Sequence, residues 1–331
     1  MMAAHAWMPL SPCGDGCVAE GATVGRARAV LRFAGLAGVL AAGALVAPVV
    51  LVLRGRAREA VLRGWFRLMV RASGVGMRVV GERRFQGTPG RGVLVVANHV
   101  SWLDELVVDS VQPIRIVAKR DIRSWPVLGW IITAARTVYL DRERLRLLPG
   151  TVAELAAALR SGAAVGVHAE GTTWCGSESG PFRPALFQAA LDAGVPVRPV
   201  ALRYLRGGVA TTRPAYVGAD GLVDAIWRVV RTGGLVVEVH VLDEIAPGRA
   251  ADRRELAALA QSATERVLPP GAAVGAGHRA VVAARAPGMV APGVPARVVL
   301  SPAVLPPGAA SAEVVVPRRG RSGRRRLSRK G

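Results

Sequence analysis

The stretch Val93–Asp104, VLVVANHVSWLD, constrains the fold more than any other part of the sequence. It opens with five consecutive apolar residues rich in valine, which is typical of a strand buried on both faces. Ser101 followed by Asp104 three residues later predicts a helix start of the capping-box kind, with Asp in place of Glu. His99 then lies in the turn between strand and helix, where its ring can fold back onto the Asp104 carboxylate.

An imidazole held by a carboxylate is a general-base arrangement. The acid fixes the tautomer of the ring and stabilises the imidazolium that forms during catalysis. We therefore predict that His99 and Asp104 are a catalytic pair. The alternative is a structural His–Asp pair that only orders the end of a strand, and this stretch alone does not separate the two.

Composition adds information about partners. The chain has 331 residues, enough for one large domain or two smaller ones, and its formal net charge is +21. The basic residues are almost all arginine, since Lys119 and Lys330 are the only lysines. Such a charge favours anionic partners, namely phosphate headgroups, a membrane surface or nucleic acid.

The chain contains three cysteines, Cys13, Cys17 and Cys175. An odd number without paired spacing favours a reducing compartment and no disulfide framework. Metal binding by Cys13 and Cys17 is not expected, because no further His or Cys partner lies close by in the sequence.

The N-terminal region predicts a membrane anchor. Residues 1–30 are rich in Gly and Ala and are expected to form a flexible leader. Phe33–Leu53 carries no charge and just reaches the length of about 20 apolar residues that a transmembrane helix needs. A cleaved secretory signal is the rival interpretation, although the apolar stretch is long and starts late for one. Arginines are denser after this stretch than before it, which favours the cytoplasmic side of the cell membrane for the main domain.

A second helix is predicted at residues 57–73, so that the anchoring region spans residues 31–73. There, apolar and aromatic residues alternate with arginines, as in a basic amphipathic helix that lies in a membrane interface. The alternative is a helix packed on the core with a basic outer face.

Strand and helix patterns alternate from about residue 92 to residue 267, within a predicted domain of residues 74–268. The alternation predicts an α/β fold with a mostly parallel central sheet covered by helices. Among the predicted helices are Trp125–Ala134 and Thr151–Leu159, the latter with Thr151 as N-cap and Glu154 completing a capping box.

Residues 269–331 are dominated by Pro, Gly, Ala and Val and end in an arginine-rich run, so a disordered tail is expected there. The basic end can attract anionic lipid by charge. Specific nucleic-acid binding is not expected, since no aromatic residues interleave with the arginines to stack on bases.

Four blocks taken together resemble the four motifs of the glycerolipid acyltransferase family, which includes the bacterial 1-acyl-glycerol-3-phosphate acyltransferases. The resemblance covers roughly residues 57–267 and implies the fold of that family. The blocks are Asn98-His99 with Asp104, the stretch Thr137–Arg142, Glu170-Gly171-Thr172, and Val195–Val200.

The resemblance also implies roles for site residues. Arg142 would hold the acceptor phosphate, for which a guanidinium fork is well suited. Its alternative is a surface arginine paired with Asp141 or Glu143. The third motif, Glu170, Gly171 and Thr172, would help bind the acceptor, and Arg183 is a second candidate for the phosphate.

The implied reaction moves a fatty acyl chain from acyl-CoA or acyl-carrier protein to the free hydroxyl of a lysophospholipid. The first expectation is 1-acyl-glycerol-3-phosphate as acceptor, giving phosphatidic acid by direct attack with the His–Asp base. Alternatives are another lysolipid such as a lyso-ornithine lipid, or a catalytically silent lipid-binding or scaffold protein at the membrane. We expect no metal and no cofactor beyond the acyl donor, and Cys175 is interpreted as a small apolar neighbour rather than a nucleophile.

The third motif departs from the family pattern. Relatives usually carry Phe-Pro before Glu-Gly-Thr, whereas this chain has His168-Ala169. Loss of the proline loosens a rigid turn, and His168 adds a second titratable ring near the predicted site. Altered acceptor choice, weak activity and a neutral structural exchange all remain open.

Overall fold

In this computed structural model, the structure describes residues 8–86, 88, 90–124, 129 and 137–268, excepting the side chain of Ile122. The tail predicted over residues 269–331 lies outside the described residues. So does the helix predicted at Trp125–Ala134, apart from Gly129.

A single sheet organises the described residues. Its order is β1-β8-β6-β2-β5-β3-β4, with β7 paired to β6. Strands β6, β2, β5, β3 and β4 run parallel, while β8 is antiparallel to β6 and carries β1 at the edge. The predicted mostly parallel sheet is therefore confirmed. The strands are β1 (Gly76–Gly81), β2 (Val93–Ala97), β3 (Arg115–Lys119), β4 (Val138–Leu140), β5 (Ala164–His168), β6 (Val197–Arg206), β7 (Val209–Ala210) and β8 (Leu235–Val241).

Strand β2 lies in the middle of the sheet, and all five of its residues are buried. Because successive side chains of a strand point to opposite faces, Val93 and Val95 join one hydrophobic core while Leu94 and Val96 join the other. Helices cover both faces. They are α1 (Arg26–Val52), α2 (Gly55–Ala72), α3 (Leu103–Val111), α4 (Leu148–Arg160), α5 (Gln188–Ala193), α6 (Leu222–Arg231) and α7 (Arg253–Glu265).

Helix α4 begins three residues before the predicted N-cap. Thr151 lies inside it, with its hydroxyl directed back to the carbonyl oxygen of Leu147 at 3.4 Å. The predicted capping box at Thr151 is therefore wrong. Pro149 stands in the first turn, where its fixed φ suits a helix and its missing N–H is not needed.

The N-terminal segment is fixed to the domain, so the prediction of a flexible leader is wrong for the described residues 8–30. A short 3-10 helix forms at Asp15–Cys17. The Ala19 N–H donates to the Thr212 hydroxyl at 2.8 Å, and the Val24 N–H donates to the Arg231 carbonyl at 2.7 Å. Each of these contacts joins residues about 200 positions apart, which local sequence patterns do not show.

Helix α1 is long and apolar enough to cross a bilayer, judged by length and composition. Its first turns pack on the domain, where Phe33 meets Trp227 edge to face with ring centroids 6.0 Å apart. Its last turns leave large apolar side chains uncovered, among them Leu45 at 82% and Val52 at 75% exposed. Burial of these side chains requires an apolar environment outside the described chain.

Helix α2 has a packed face and an open face. It packs against α1 and α3. Met69 and Val70 are buried, and the Trp65 indole donates to the Val39 carbonyl of α1 at 2.9 Å. Leu68 stays half exposed beside a series of arginines. The interpretation of α2 as a helix packed on the core therefore describes its buried face, and contact of its open basic face with a membrane stays a prediction.

Candidate active site

The turn between β2 and α3 brings His99 onto Asp104. Nδ1 of His99 lies 2.8 Å from Oδ2 of Asp104, and the Asp104 side chain is fully buried. The same Oδ2 accepts the N–H groups of Val100 at 2.6 Å and Ser101 at 2.9 Å. The carboxylate half of the predicted capping box is thus present, and it fixes the acid against the helix start.

A second strand completes the environment of Asp104. The Tyr204 hydroxyl of β6 donates to Oδ1 of Asp104 at 2.6 Å. Burial alone would raise the pKa of the Asp104 carboxyl, but the hydrogen bond and charge of His99 hold it below its ordinary value. Asp104 is therefore an ionised, fully hydrogen-bonded carboxylate.

This geometry assigns the tautomer of His99. Because an ionised carboxylate only accepts hydrogen bonds, Nδ1 carries the proton and Nε2 carries the lone pair. No described residue forms a hydrogen bond to Nε2, and 20% of the side chain is exposed. Burial and the charge of His168 lower the pKa of His99, against the opposing influence of Asp104. The ring is therefore neutral, and the lone pair of Nε2 remains available for a proton.

His168 stacks on His99, with ring centroids 4.0 Å apart and 13° between the ring planes. Its Nδ1 lies 2.9 Å from the carbonyl oxygen of Asn98, and its Nε2 lies 3.2 Å from Oε1 of Glu105. Burial opposes the charged ring, yet the charge and hydrogen bond of Glu105 raise the pKa of His168 to about 9. A cation therefore lies against the neutral base.

The donor atoms of His99, Asp104 and His168 lie within 4.8 Å of one another, but their bonding does not suit a metal. Both nitrogens of His168 are engaged as donors by Glu105 and the Asn98 carbonyl, and a protonated imidazole cannot coordinate an ion. The Asp104 oxygens already accept four hydrogen bonds. The arrangement is an acid–base network.

The third motif holds the backbone of His99 in place. Glu170 is 2% exposed, and its carboxylate accepts the His99 N–H at 2.5 Å and the Gly180 N–H at 2.8 Å. Burial raises the pKa of Glu170 to about 8, against the opposing effect of these N–H groups. The structure thus directs Glu170 toward the backbone of the base and not toward open space.

Gly171 has a φ of +76°, a conformation that favours glycine. A Cβ there would lie 3.0 Å from Pro9 of the N-terminal segment and 3.7 Å from Cγ of Arg183. Thr172 follows as a half-buried residue. The turn therefore brings the N-terminal segment and Arg183 to the third motif.

The predicted arginines lie at the same edge of the sheet as His99. Since β2, β5, β3 and β4 are parallel, their carboxyl ends share one edge, and Arg142 follows β4 by two residues. Three strand spacings of ~4.8 Å separate β2 from β4 by ~14 Å. Burial lowers the pKa of Arg142, while the charge of Asp121 acts in the opposite direction. Arg183 is exposed.

The fourth motif forms the start of β6, beside β2. Arg198 is buried and donates to the carbonyl oxygens of Phe85 and Leu242, which is a structural role. The Asn98 side chain bonds both the N–H and the carbonyl of Leu202, at 2.8 and 3.1 Å. These bonds lock the end of β2, and with it the turn that carries His99, to β6.

Comparison with known proteins gives the family. Residues 76–203 match the family model described as Acyltransferase. A lyso-ornithine lipid O-acyltransferase of Pseudomonas aeruginosa is 34% identical over 253 residues, which cover 73% of this chain and 94% of that protein. The chain is a member of the glycerolipid acyltransferase family.

Other similar proteins are also named as acyltransferases. A 1-acyl-sn-glycerol-3-phosphate acyltransferase of Neisseria gonorrhoeae is 39% identical over 166 residues, covering 50% of this chain and 65% of that protein. The crystal structure of the 1-acyl-sn-glycerophosphate acyltransferase PlsC from Thermotoga maritima superposes with a TM-score of 0.57 at 20% identity. It covers 72% of this chain and 93% of that one, and it supports the fold.

Proposed function

We propose that this acyltransferase moves a fatty acyl chain from a thioester donor to the free hydroxyl of a lysolipid, with His99 as general base. The observation that carries the proposal is the buried, fully bonded Asp104, which leaves the Nε2 lone pair of a neutral His99 without a hydrogen bond from the described residues, on a side chain that is 20% exposed. A base of this kind needs to lie within hydrogen-bond reach of the hydroxyl proton that it removes.

The imidazole of His99 both removes the proton and returns it. Nε2 of His99 takes the hydroxyl proton while the hydroxyl oxygen attacks the thioester carbonyl carbon. The tetrahedral intermediate then collapses, the carbon–sulfur bond breaks, and the leaving thiolate receives the proton from the imidazolium. Asp104 stabilises that imidazolium. Direct transfer needs no acyl-enzyme, and Cys175 is 0% exposed.

The acceptor we propose first is 1-acyl-glycerol-3-phosphate, giving phosphatidic acid. Arg142 and Arg183 lie at the sheet edge of His99, where guanidinium groups can bind phosphate oxygens in pairs. The Neisseria relative, named for that substrate, supports this choice. A lyso-ornithine lipid is the second candidate, because the Pseudomonas relative so named is matched over 94% of its length.

The proposed location is the cell membrane, with the site on the cytoplasmic side. Support comes from the uncovered apolar side chains of α1 and from the denser arginines that follow it. The donor is proposed to be acyl-CoA or acyl-carrier protein. An acidic carrier protein would complement the basic chain.

The test is acyl transfer by membranes that contain the protein, with labelled acyl-CoA or acyl-carrier protein and both lysolipids. His99→Ala should lower the rate at least ~100-fold, which is the usual contribution of a general base. His240→Ala is the matched control, since His240 lies on β8 and the hydrogen bond of its imidazole goes to Glu238. Undiminished turnover by His99→Ala would refute the base, and no product from any pair would favour the silent lipid-binding alternative.

A further inference from the structure

The cysteines of the chain meet at one point. Cys13, Cys17 and Cys175 are the only three in the sequence, and their Sγ atoms all lie within 4.8 Å of one another. All three are buried, with exposures of 5%, 6% and 0%, and no disulfide joins any of them. Two segments separated by more than 150 residues thus bring every thiol of the protein together.

The N-terminal half of this cluster is built on one tight turn. Gly14 and Cys17 close a 3-10 turn through the Cys17 N–H and the Gly14 carbonyl at 2.8 Å. The Gly14 N–H is directed at Sγ of Cys17 at 3.4 Å, and the Ser11 hydroxyl lies 3.2 Å from the Cys13 N–H. A backbone N–H bond to a cysteine sulfur, as at Cys17, orients a thiolate ligand around a metal. The turn therefore presents two sulfurs to Cys175 from one side.

We propose that Cys13, Cys17 and Cys175 form a structural site for a thiophilic d10 metal ion, Zn²⁺ or Cu⁺. Three soft sulfur ligands select such ions. Tetrahedral zinc holds thiolates at ~2.3 Å, which places the sulfurs ~3.8 Å apart, so the sulfurs need to move by only ~1 Å. The fourth zinc ligand would come from a water molecule or from the Ser11 hydroxyl, which already contacts the Cys13 N–H, whereas Cu⁺ is satisfied by three thiolates.

Ordinary packing and disulfide formation are the competing explanations. One buried cysteine is commonly just a small apolar residue, but packing gives no reason for three sulfurs from distant segments to converge. A disulfide would join only two of the three and leave the third, and the proposed cytoplasmic side is reducing.

The site lies where it can influence the N-terminal segment and the catalytic turn together. Cys175 follows Trp174, whose N–H donates to the His99 carbonyl at 2.8 Å. Cys13 comes four residues after Pro9, which packs on Gly171. A bound ion would tie residues 8–25 to the loop beside His99, so we expect its removal to loosen this segment before the sheet.

The experiment measures metal in the full-length chain purified in detergent, which makes it independent of acyl transfer. Wild-type protein should retain close to one zinc or copper ion per chain, and mass spectrometry of the metals identifies which. Cobalt reconstitution should give thiolate-to-cobalt charge-transfer absorption. Cys17→Ser and Cys175→Ser should lose both signals, while Ser177→Ala, a buried hydroxyl two residues from Cys175, should keep them.

Measurements on wild-type protein alone can refute the proposal. The test therefore does not depend on whether the cysteine variants fold. Wild-type protein that retains no stoichiometric metal and gives no charge-transfer band contradicts the site. A native disulfide among these cysteines, found by mass spectrometry of the unreduced chain, contradicts it as well. In the expected case, a chelator should expose the thiols of folded wild-type protein to a thiol reagent and lower its melting temperature.

Discussion

The imidazole rings of His99 and His168 lie nearly parallel, with their centroids 4.0 Å apart. Two cationic rings would repel each other at that distance, so only one of them holds a proton firmly. Glu105 assigns that proton to His168, whose pKa rises to about 9, and the charge on His168 helps lower the pKa of His99. The residue that departs from the family pattern therefore adds to burial in lowering the pKa of His99, the proposed base.

Replacing His168 by phenylalanine, the usual residue at this position in relatives, tests this relationship. His168→Phe keeps a ring against His99 and removes the positive charge, so the pKa of His99 should rise. We expect the acidic limb of the pH profile of kcat/KM to move to higher pH by about one to two units, the scale of a nearby charge. His240→Phe, the same exchange on β8, should leave the limb unchanged. An unmoved limb in His168→Phe would show that the charge does not act on the base.

The sequence predicted this part of the site because its signals are local. A valine-rich strand, a short turn and a helix start determine where His99 and Asp104 lie, and the structure places them 2.8 Å apart. The sequence predicts the stacked pair of His99 and His168 only in part. The sequence places His168 near the site, but its partner Glu105 comes 63 residues earlier on α3, and no local pattern links the two.

Long-range contacts account for most of what sequence patterns missed. Tyr204 of β6 contacts Asp104, which comes one hundred residues earlier in the chain. In the sequence, Tyr204 indicates only a further apolar residue of a strand. Cys175 meets Cys13 only because the N-terminal segment folds back over the domain. Glycine- and alanine-rich composition indicated a flexible leader there, but backbone hydrogen bonds to distant residues fix it.

Tyr204 is a positioning residue, because it touches Asp104 and not the reacting atoms. Tyr204→Phe leaves a buried carboxylate oxygen without its hydroxyl donor, which should lower the free energy of unfolding by about 1.5–3 kcal/mol. We expect kcat to fall about tenfold or more with KM for both substrates nearly unchanged, since a loss of 1.4 kcal/mol in transition-state stabilisation is tenfold in rate. Steady-state kinetics and denaturant unfolding in detergent measure the two effects. Tyr216→Phe is the matched control, and an equal loss there would mean that the Tyr204 hydroxyl has no special role.

The buried Glu170 predicts a pH dependence of stability. Its pKa is raised from 4.5 to about 8 by burial, so the folded state holds a proton that the unfolded chain releases. The wild-type chain should therefore lose stability relative to Glu170→Gln as the pH rises from 4.5 to about 8, by up to about 1.4 kcal/mol per pH unit. Denaturant unfolding of both proteins across that range checks the slope. A difference in unfolding free energy that does not vary with pH would show that Glu170 is ionised in the folded chain throughout.

Arg142 should decide how the enzyme handles the charge of its acceptor. Arg142→Ala is expected to raise KM for 1-acyl-glycerol-3-phosphate about 10- to 100-fold, the value of a charge-assisted bidentate contact, with a smaller effect on an acceptor without phosphate. Arg142→Lys should restore little, because an ammonium group lacks the fork that matches two phosphate oxygens. Arg160→Ala, an exposed arginine at the end of α4, is the control for general loss of positive charge. Kinetics with both acceptors separate the outcomes. Equal loss on the two acceptors would assign Arg142 to the stability of the sheet edge and leave Arg183 as the remaining candidate for the phosphate.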